Sequence, residues 1–398
     1  MGDLTRVALN IEDLRRLSRR RLTKALFEFC DRGSEDEVQM RDNRNALDAI
    51  KLVPRVLQDV SGRDPSTTLF GRRHGLPLVI SPTGPAGWVW YRGETVMARA
   101  AAAADIPFTL ASNSNTPMEQ VLARGGGTQW FQLYVWRDVD AALVTVERAR
   151  AAGMAALVLT VDTATHNNRE WDIRNGAVFP PKATVRTVVD SLRHPRWTMG
   201  TLARYLAAER AMPGFPNVNV PPGEGNAYVS GKSQGFFRRN DTLTWDFVRR
   251  VREMWPRTLI VKGILHPADA VKAADCGADG IFVSNHAGNV LDAGVPAITM
   301  LPHVRAAVGD RLTIIVDSGF RRGSDVLKAL ALGADAVGVG RASLYGAAVA
   351  GEAGVSRALD IFDAEIRRTM ANIGVSDLRS LTRDHVLLPG ENRSFEPD

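Results

Sequence analysis

Cysteine is almost missing from this chain of 398 residues: Cys30 and Cys276 are its only two. A disulfide framework and a cysteine-rich metal site are thereby excluded, and a reducing compartment is expected. Long apolar runs are missing too; none reaches the ~20 residues that a bilayer-spanning helix needs. Arg15, Arg16, Arg19, Arg20 and Arg21 interrupt the N-terminal stretch, so it lacks a signal-peptide pattern and a cytoplasmic location is expected. Charge of one sign is only mildly in excess, at +6, and much of it lies beside acidic neighbours. It argues weakly for an anionic partner, and no nucleic-acid partner is expected. With 45% hydrophobic and 24% charged residues, the chain can bury a large globular core.

What is present is a rhythm. After a helical start from about Asn10 to Gly33, short apolar runs alternate with helix-like stretches, as in repeated βα units. Leu78–Ser81 leads into Glu94–Asp105, Phe108–Ala111 into Met118–Arg124, and Trp130–Tyr134 into Val139–Ala152, with Ala156–Val161 as a fourth strand. From about Thr163 to Asp241 the pattern dissolves into Pro, Gly, Asn and Arg, a stretch too long for a plain barrel loop. It resumes with Leu259–Lys262, Gly280–Ser284, Thr313–Val316 and Ala336–Val339, followed by Pro267–Asp275, Ala297–Ala307, Ser324–Leu332 and Ser343–Ala350. Eight apolar, non-alternating strands interleaved with helices predict an α/β fold, a (β/α)8 TIM barrel. It would form one domain over 1–398, with an N-terminal helical segment and an insertion at 163–241 after strand four. A doubly wound open sheet is the alternative.

Such barrels place their chemistry at the C-terminal strand ends. Those ends are polar here: Pro82, Thr83 and Gly84 after strand one, Gln132 and Tyr134 in strand three, Thr160 and Asp162 at strand four, Lys262 at strand five, and Ser284, Asn285 and His286 at strand six. Some of these would serve only as caps or as partners for mouth backbone groups. The loops after strands seven and eight carry Asp317-Ser318-Gly319-Phe320-Arg321-Arg322-Gly323 and Gly338-Val339-Gly340-Arg341. Glycines let backbone amides approach an anion and arginine adds charge-assisted bonds, so the pair predicts a phosphate cradle, with plain tight turns as the alternative. A neutral imidazole at His286 could take a hydroxyl proton as the adjacent carbon gives up hydride, with Asp162 orienting the ring. Lys262 would stabilise negative charge on a reduced flavin, or else form a surface salt bridge.

Seven motifs together resemble the FMN-dependent 2-hydroxy-acid oxidase and dehydrogenase family over nearly the whole chain. They are Ser81-Pro82-Thr83-Gly84, Phe131-Gln132-Leu133-Tyr134, Leu159-Thr160-Val161-Asp162-Thr163, Val261-Lys262-Gly263, Ser284-Asn285-His286, the Asp317–Gly323 loop and Gly340-Arg341. Within the family the resemblance is nearest to mandelate dehydrogenase, through His194-Pro195-Arg196-Trp197 and Gly340-Arg341-Ala342-Ser343-Leu344-Tyr345-Gly346. It implies FMN held by Pro82, Thr83, Gly84, Gln132, Thr160, Lys262, Asp317, Gly319, Arg321, Gly340 and Arg341, with Ser284 beside it. His286 would be the base, Asp162 its partner, and Tyr134 and Arg169 would meet the substrate; no metal is implied.

The chain departs from that pattern at the acyl end. Family members read Ser-Asn-His-Gly-Gly-Arg, with the arginine gripping the substrate carboxylate, whereas this chain has Ala287 and Asn289. Phe29 stands where a carboxylate-binding tyrosine is usual, and Asn167 and Asn168 replace the Gly-Arg pair before Arg169. Two lost donors, at roughly 1.5–3 kcal/mol each for bonds to a charged group, predict a substrate with a masked carboxyl: a 2-hydroxy lactone, ester or amide. L-Pantolactone dehydrogenase is one resembling activity. The alternatives are oxidation of a 2-amino lactam, as in the pre-mycofactocin synthase branch, which also has asparagine at this position, and ordinary (S)-mandelate-type dehydrogenation with Arg169 carrying the carboxylate alone. A phosphate-binding barrel without redox chemistry would leave His286, Asp162 and Lys262 without a purpose, and a silent flavin-binding protein would be expected to have lost His286. Phe29, Asn289 and His166 are the expected pocket walls, His166 being read equally as a solvent-facing loop residue.

The insertion carries Phe179, Trp197, Tyr205, Phe215 and Phe236–Phe237 among many arginines. A lid over the substrate is expected. The resemblance adds peripheral contact with the inner face of the membrane, although no clean amphipathic stripe is visible. Oxygen or a quinone would reoxidise the flavin, and a symmetric homo-oligomer is expected.

Overall fold

The computed structural model describes residues 4–176, 184–218 and 239–392. Eight parallel strands follow one another around a closed barrel: β1 (Leu78–Ile80), β2 (Phe108–Ala111), β3 (Gln129–Tyr134), β4 (Ala156–Thr160), β5 (Thr258–Ile264), β6 (Gly280–Val283), β7 (Thr313–Val316) and β8 (Ala336–Val339). Closure is made by β8 on β1, where Val337 faces Leu78 and Val339 faces Ile80. That pairing rules out the open sheet. Each predicted strand is found, with ends moved by no more than two residues.

The strands lack alternation because both faces are covered. Val79, Trp130, Val158, Ile260, Phe282 and Ile315 fill the barrel interior. Their neighbours in sequence, such as Leu78, Phe131, Leu157 and Val261, pack outward into the helical layer. A hairpin of Thr67–Leu69 and Arg72–His74 closes the N-terminal end, where Phe70 meets Trp130 edge-on at 5.7 Å. Strand β5 has a register irregularity between Lys262 and Ile264. Gly263 sits there at φ 104°, and a Cβ on it would lie 2.5 Å from the Cβ of Asp162. Only glycine fits beside that acid.

The N-terminal segment is two helices rather than one, α1 (Ile11–Arg21) and α2 (Lys24–Asp31), with Leu22 extended between them. The Asn10 side chain caps α1 by accepting from the Asp13 amide at 2.8 Å. The insertion also corrects the sequence reading, since its described part is largely helical. It contains α3 (Glu170–Asn175), α4 (Val185–Arg193) and a run from Pro195 through a π-helical turn to Glu209. These helices are too short, and too broken by Pro, Gly and Arg, to give a long periodic signal. A clean stripe does exist: Val185, Val188, Val189 and Leu192 are exposed at i, i+3, i+4 and i+7 of α4. Phe179, Phe236 and Phe237 lie outside the described residues. Trp197, Tyr205 and Phe215 are buried, and Trp197 donates to the Trp88 carbonyl at 2.7 Å. These three aromatics are therefore buried groups rather than a surface, while Trp171 is half-buried between Arg32 and Arg174. Cys30 and Cys276 are free thiols, the first within a helix and the second at a helix end.

Helix α1 packs against α5 (Arg341–Ala350), the helix that follows β8. Asp31 locks this contact, accepting from Arg15 at 2.6 and 2.7 Å and from the Tyr345 hydroxyl at 2.6 Å. Burial alone would raise the Asp31 carboxyl, but these bonds outweigh it and hold the group below its usual value. Its contribution to stability is thus complete above about pH 4 and is lost as pH falls through the folded value. Asp31→Asn is expected to lower the unfolding free energy by about 1–3 kcal/mol at neutral pH. Urea denaturation across a pH series should show the gap to wild type closing in acid.

Candidate active site

The eight strands bring their C-terminal ends around a cavity of about 470 Å³. His286 reaches it through a sharp turn after β6, in which His286 and Ala287 both adopt left-handed backbone, at φ 55° and 54°. That conformation costs roughly 1–2 kcal/mol per residue and needs outside support. Ser318 provides it, its hydroxyl accepting from the amides of Ala287 at 3.0 Å and Asn285 at 3.4 Å. Asn285 is itself fixed by reciprocal amide bonds with Asn43, at 3.0 and 2.8 Å.

So held, the imidazole has Nδ1 3.1 Å from both carboxylate oxygens of Asp162 and Nε2 3.0 Å from the Tyr134 hydroxyl. Burial would raise the Asp162 carboxyl; His286, with Lys262 behind it, prevails, and the group lies below its ordinary value. An ionised Asp162 selects the tautomer with hydrogen on Nδ1, which leaves the Nε2 lone pair facing the cavity. Burial pushes the Tyr134 phenol up to about 12, so it stays a hydrogen-bond donor at neutral pH. Lys262 is not a surface group. It is buried, donates to Ser284 Oγ at 2.6 Å and pairs with Asp317 at 3.2 Å.

The other end of the cavity is lined by Pro82, Thr83, Gly84, Gly319, Gly338, Gly340, Arg321 and Arg341. A Cβ on Gly338 would lie 2.3 Å from Ser81 Oγ and 2.9 Å from Asp317 Cβ, so this wall must stay bare. Arg341 donates to the carbonyls of Cys30, Ala287 and Arg32 at 3.1, 2.9 and 3.0 Å. Burial pushes its guanidinium below the usual value, and nearby Arg321 adds to that. Among the described residues no carboxylate pairs with either arginine, and the buried Thr83 hydroxyl has no partner. Two close cations, an orphaned hydroxyl and a bare glycine wall fit a phosphorylated flavin. Gln132, Thr160, Ser284 and Asp162 are not among the lining residues. Gln132 donates to Thr160 Oγ1 at 2.9 Å and accepts from the Ser112 amide at 3.3 Å, behind the wall.

The acyl corner is formed by Phe29, Asn289, Arg169 and Asp172. Arg169 binds Asp172 through Nε at 2.5 Å and Nη2 at 3.2 Å, gives Nη2 to the Phe29 carbonyl at 2.7 Å and Nη1 to Asn289 Oδ1. Burial raises the Asp172 carboxyl, and Arg169 offsets part of that rise. His166 lines the cavity from its exposed rim. Four lining residues, Asn113, Asp172, Ile173 and Arg239, escaped the sequence reading. Asp172 had a signal, the i,i+3 spacing from Arg169; Asn113 follows β2, whose end was passed over; Arg239 had none.

The FMN-dependent dehydrogenase family model matches residues 18–388. The (S)-mandelate dehydrogenase of Pseudomonas putida is 37% identical over 391 residues, which is 98% of this chain and 96% of that protein. An L-lactate dehydrogenase of Caulobacter vibrioides is 41% identical over 373 residues, 93% of this chain and 95% of its own. A crystal structure described as the monotopic membrane protein (S)-mandelate dehydrogenase superposes with TM-score 0.88 at 37% identity, covering 96% of this chain and 99% of the other. A mandelate oxidase with one arginine replaced by leucine, solved with 2-hydroxy-phenylacetamide, gives 0.79 at 34% identity, with coverage of 96% and 99%. This chain therefore belongs to the FMN-dependent dehydrogenase family and is an FMN enzyme that acts on CH–OH groups.

Proposed function

We propose that the chain oxidises the 2-hydroxyl of a carbonyl compound whose acyl group is uncharged, a lactone such as pantolactone, an ester or an amide, to the 2-oxo product. The observation that carries this reading is the Arg169–Asp172 pair. With Asn289 and Phe29 in place of an arginine and a tyrosine, Arg169 is the cation of that corner, and Asp172 already balances its charge. A free carboxylate arriving there would meet Asp172 as well as Arg169. An ester or amide carbonyl needs only a hydrogen-bond donor, which Arg169 and Tyr134 both supply. The uncharged 2-hydroxy-phenylacetamide solved with the mandelate oxidase variant belongs to this ligand class.

Lys262, Arg321, Arg341, the Thr83 hydroxyl and the glycine wall would hold FMN, which when bound would supply the hydride acceptor. With substrate present the Tyr134 hydroxyl turns from His286 Nε2 to the carbonyl, Nε2 takes the hydroxyl proton, and Asp162 stabilises the resulting imidazolium. The insertion at 163–241 serves as the substrate-covering and surface-binding segment. The α4 stripe gives it a membrane-facing side, since Val185 and Leu192 are 84% and 72% exposed and each such side chain contributes about 1.5–3 kcal/mol when buried. No helix among the described residues is long and apolar enough to cross a membrane, so contact would be peripheral.

Anaerobic stopped-flow on the FMN-loaded protein should show faster bleaching by methyl mandelate, mandelamide or pantolactone than by mandelate or lactate. Asn289→Arg is expected to raise kcat/KM for mandelate roughly ten- to hundredfold. A wild-type preference for free mandelate over its ester and amide would overturn the reading. In the same assay His286→Gln, still flavin-loaded by its visible spectrum, is expected to bleach about 10²–10⁴-fold more slowly. Co-sedimentation with acidic phosphatidylglycerol vesicles should be lost in Val185→Asp/Leu192→Asp with flavin reduction retained; equal sedimentation of the two proteins would remove the membrane contact.

A further inference from the structure

Five cationic side chains line the cavity among the described residues: Arg169, Arg239, Lys262, Arg321 and Arg341. Two are balanced in place, Lys262 by Asp317 and Arg169 by Asp172. Arg321 and Arg341 stand where the cofactor phosphate, with a charge of about −2, would bind. Arg239 is left over. Its guanidinium carbon lies 4.8 Å from the Tyr134 ring centre and 4.7 Å from that of Trp136, and Nη1 donates to Thr163 Oγ1 at 3.3 Å. Its Nε is buried without a hydrogen-bond partner, and no carboxylate among the described residues pairs with it. The side chain is half-buried, and its stacking on two rings leaves the guanidinium charge without a counter-ion among the described residues. The contacts of Arg239 are with residues at the ends of β3 and β4, on the Tyr134 side of the pocket, whereas Arg169 and its partners come from α2, α3 and the loop after β6.

We infer that Arg239 is a specificity-determining residue that binds a carboxylate or comparable anionic group on the substrate's side chain, away from the reacting carbon. This rests on the uncharged-acyl reading and extends it. The substrate is then an ester, lactone or amide at C1 and an anion at its far end. Arg239 is oriented for that group by the ring of Tyr134, whose hydroxyl meets His286, so substrate recognition and the base share one wall.

The test uses the FMN-loaded enzyme and the 1-methyl ester of 2-hydroxyglutarate, whose far carboxylate is free, against the analogue with a carboxamide there. Wild type is expected to favour the carboxylate roughly tenfold or more in kcat/KM. Arg239→Gln should collapse that ratio towards one, mainly through KM, and Arg239→Lys should recover part of it. Titration of the inert analogue monomethyl glutarate, read from the flavin absorbance, should weaken by a similar factor in Arg239→Gln. An unchanged ratio and an unchanged titration would overturn the inference while leaving the uncharged-acyl reading intact. If Arg239→Gln instead abolishes a wild-type preference for free lactate or mandelate, Arg239 is the acyl anchor and both readings fall.

Discussion

A parallel sheet covered on both faces has to close or leave an edge, and closure governs nearly everything else in this molecule. Once β8 pairs with β1, no strand can carry a polar side chain in mid-course without burying it against apolar neighbours. Polar chemistry is driven to the mouth, where strand ends converge from distant parts of the sequence. The cluster of His286, Asp162, Tyr134 and Lys262 is a result of that exclusion. The irregularity in β5 shows how finely the mouth is adjusted. One residue without a side chain, Gly263, lets a strand turn aside and leaves room for the carboxylate that orients the base.

The same exclusion explains what could be read in advance. Strands buried on both faces appear as plain apolar runs, so all eight were legible, and so was the rule that their ends carry function. The base, its acid and the flavin-side lysine follow from that rule together with the family motifs. Asn113 follows the same rule, lying two residues beyond the end of β2. Arg239 is a different case: it follows a long irregular stretch, and nothing local in the sequence tells which wall it will join. The α4 stripe was hidden because nine residues give only about two and a half turns, too few for periodicity to stand out between a proline-rich approach and a second break. Gln132 and Thr160 were found, but as each other's partners behind the wall.

Part of the charge at the mouth is arranged in pairs: Lys262 with Asp317, Arg169 with Asp172 and His286 with Asp162. Buried ion pairs seldom stabilise a fold, because the desolvation they incur offsets most of the attraction between them. Their value here is discrimination. A guanidinium already satisfied by its own carboxylate can still donate a hydrogen bond, yet it offers little to a second anion. The Arg169–Asp172 pair is thus separate from the groups that move the proton, so the acyl corner can be altered without disturbing them.

Arg341 ties the carbonyls of Cys30 and Arg32 to the last βα unit, joining atoms as much as 311 residues apart in sequence. On a ribosome adding about 5–20 residues per second, the first helices wait roughly 15–60 s for the helix they dock against. Phe29 and its neighbours can thus take their places around the mouth only after the rest of the barrel exists. The rim of the pocket is thus completed by a contact between distant parts of the chain, and a chain lacking the last βα unit would leave Phe29 and its neighbours without the side chain that anchors them.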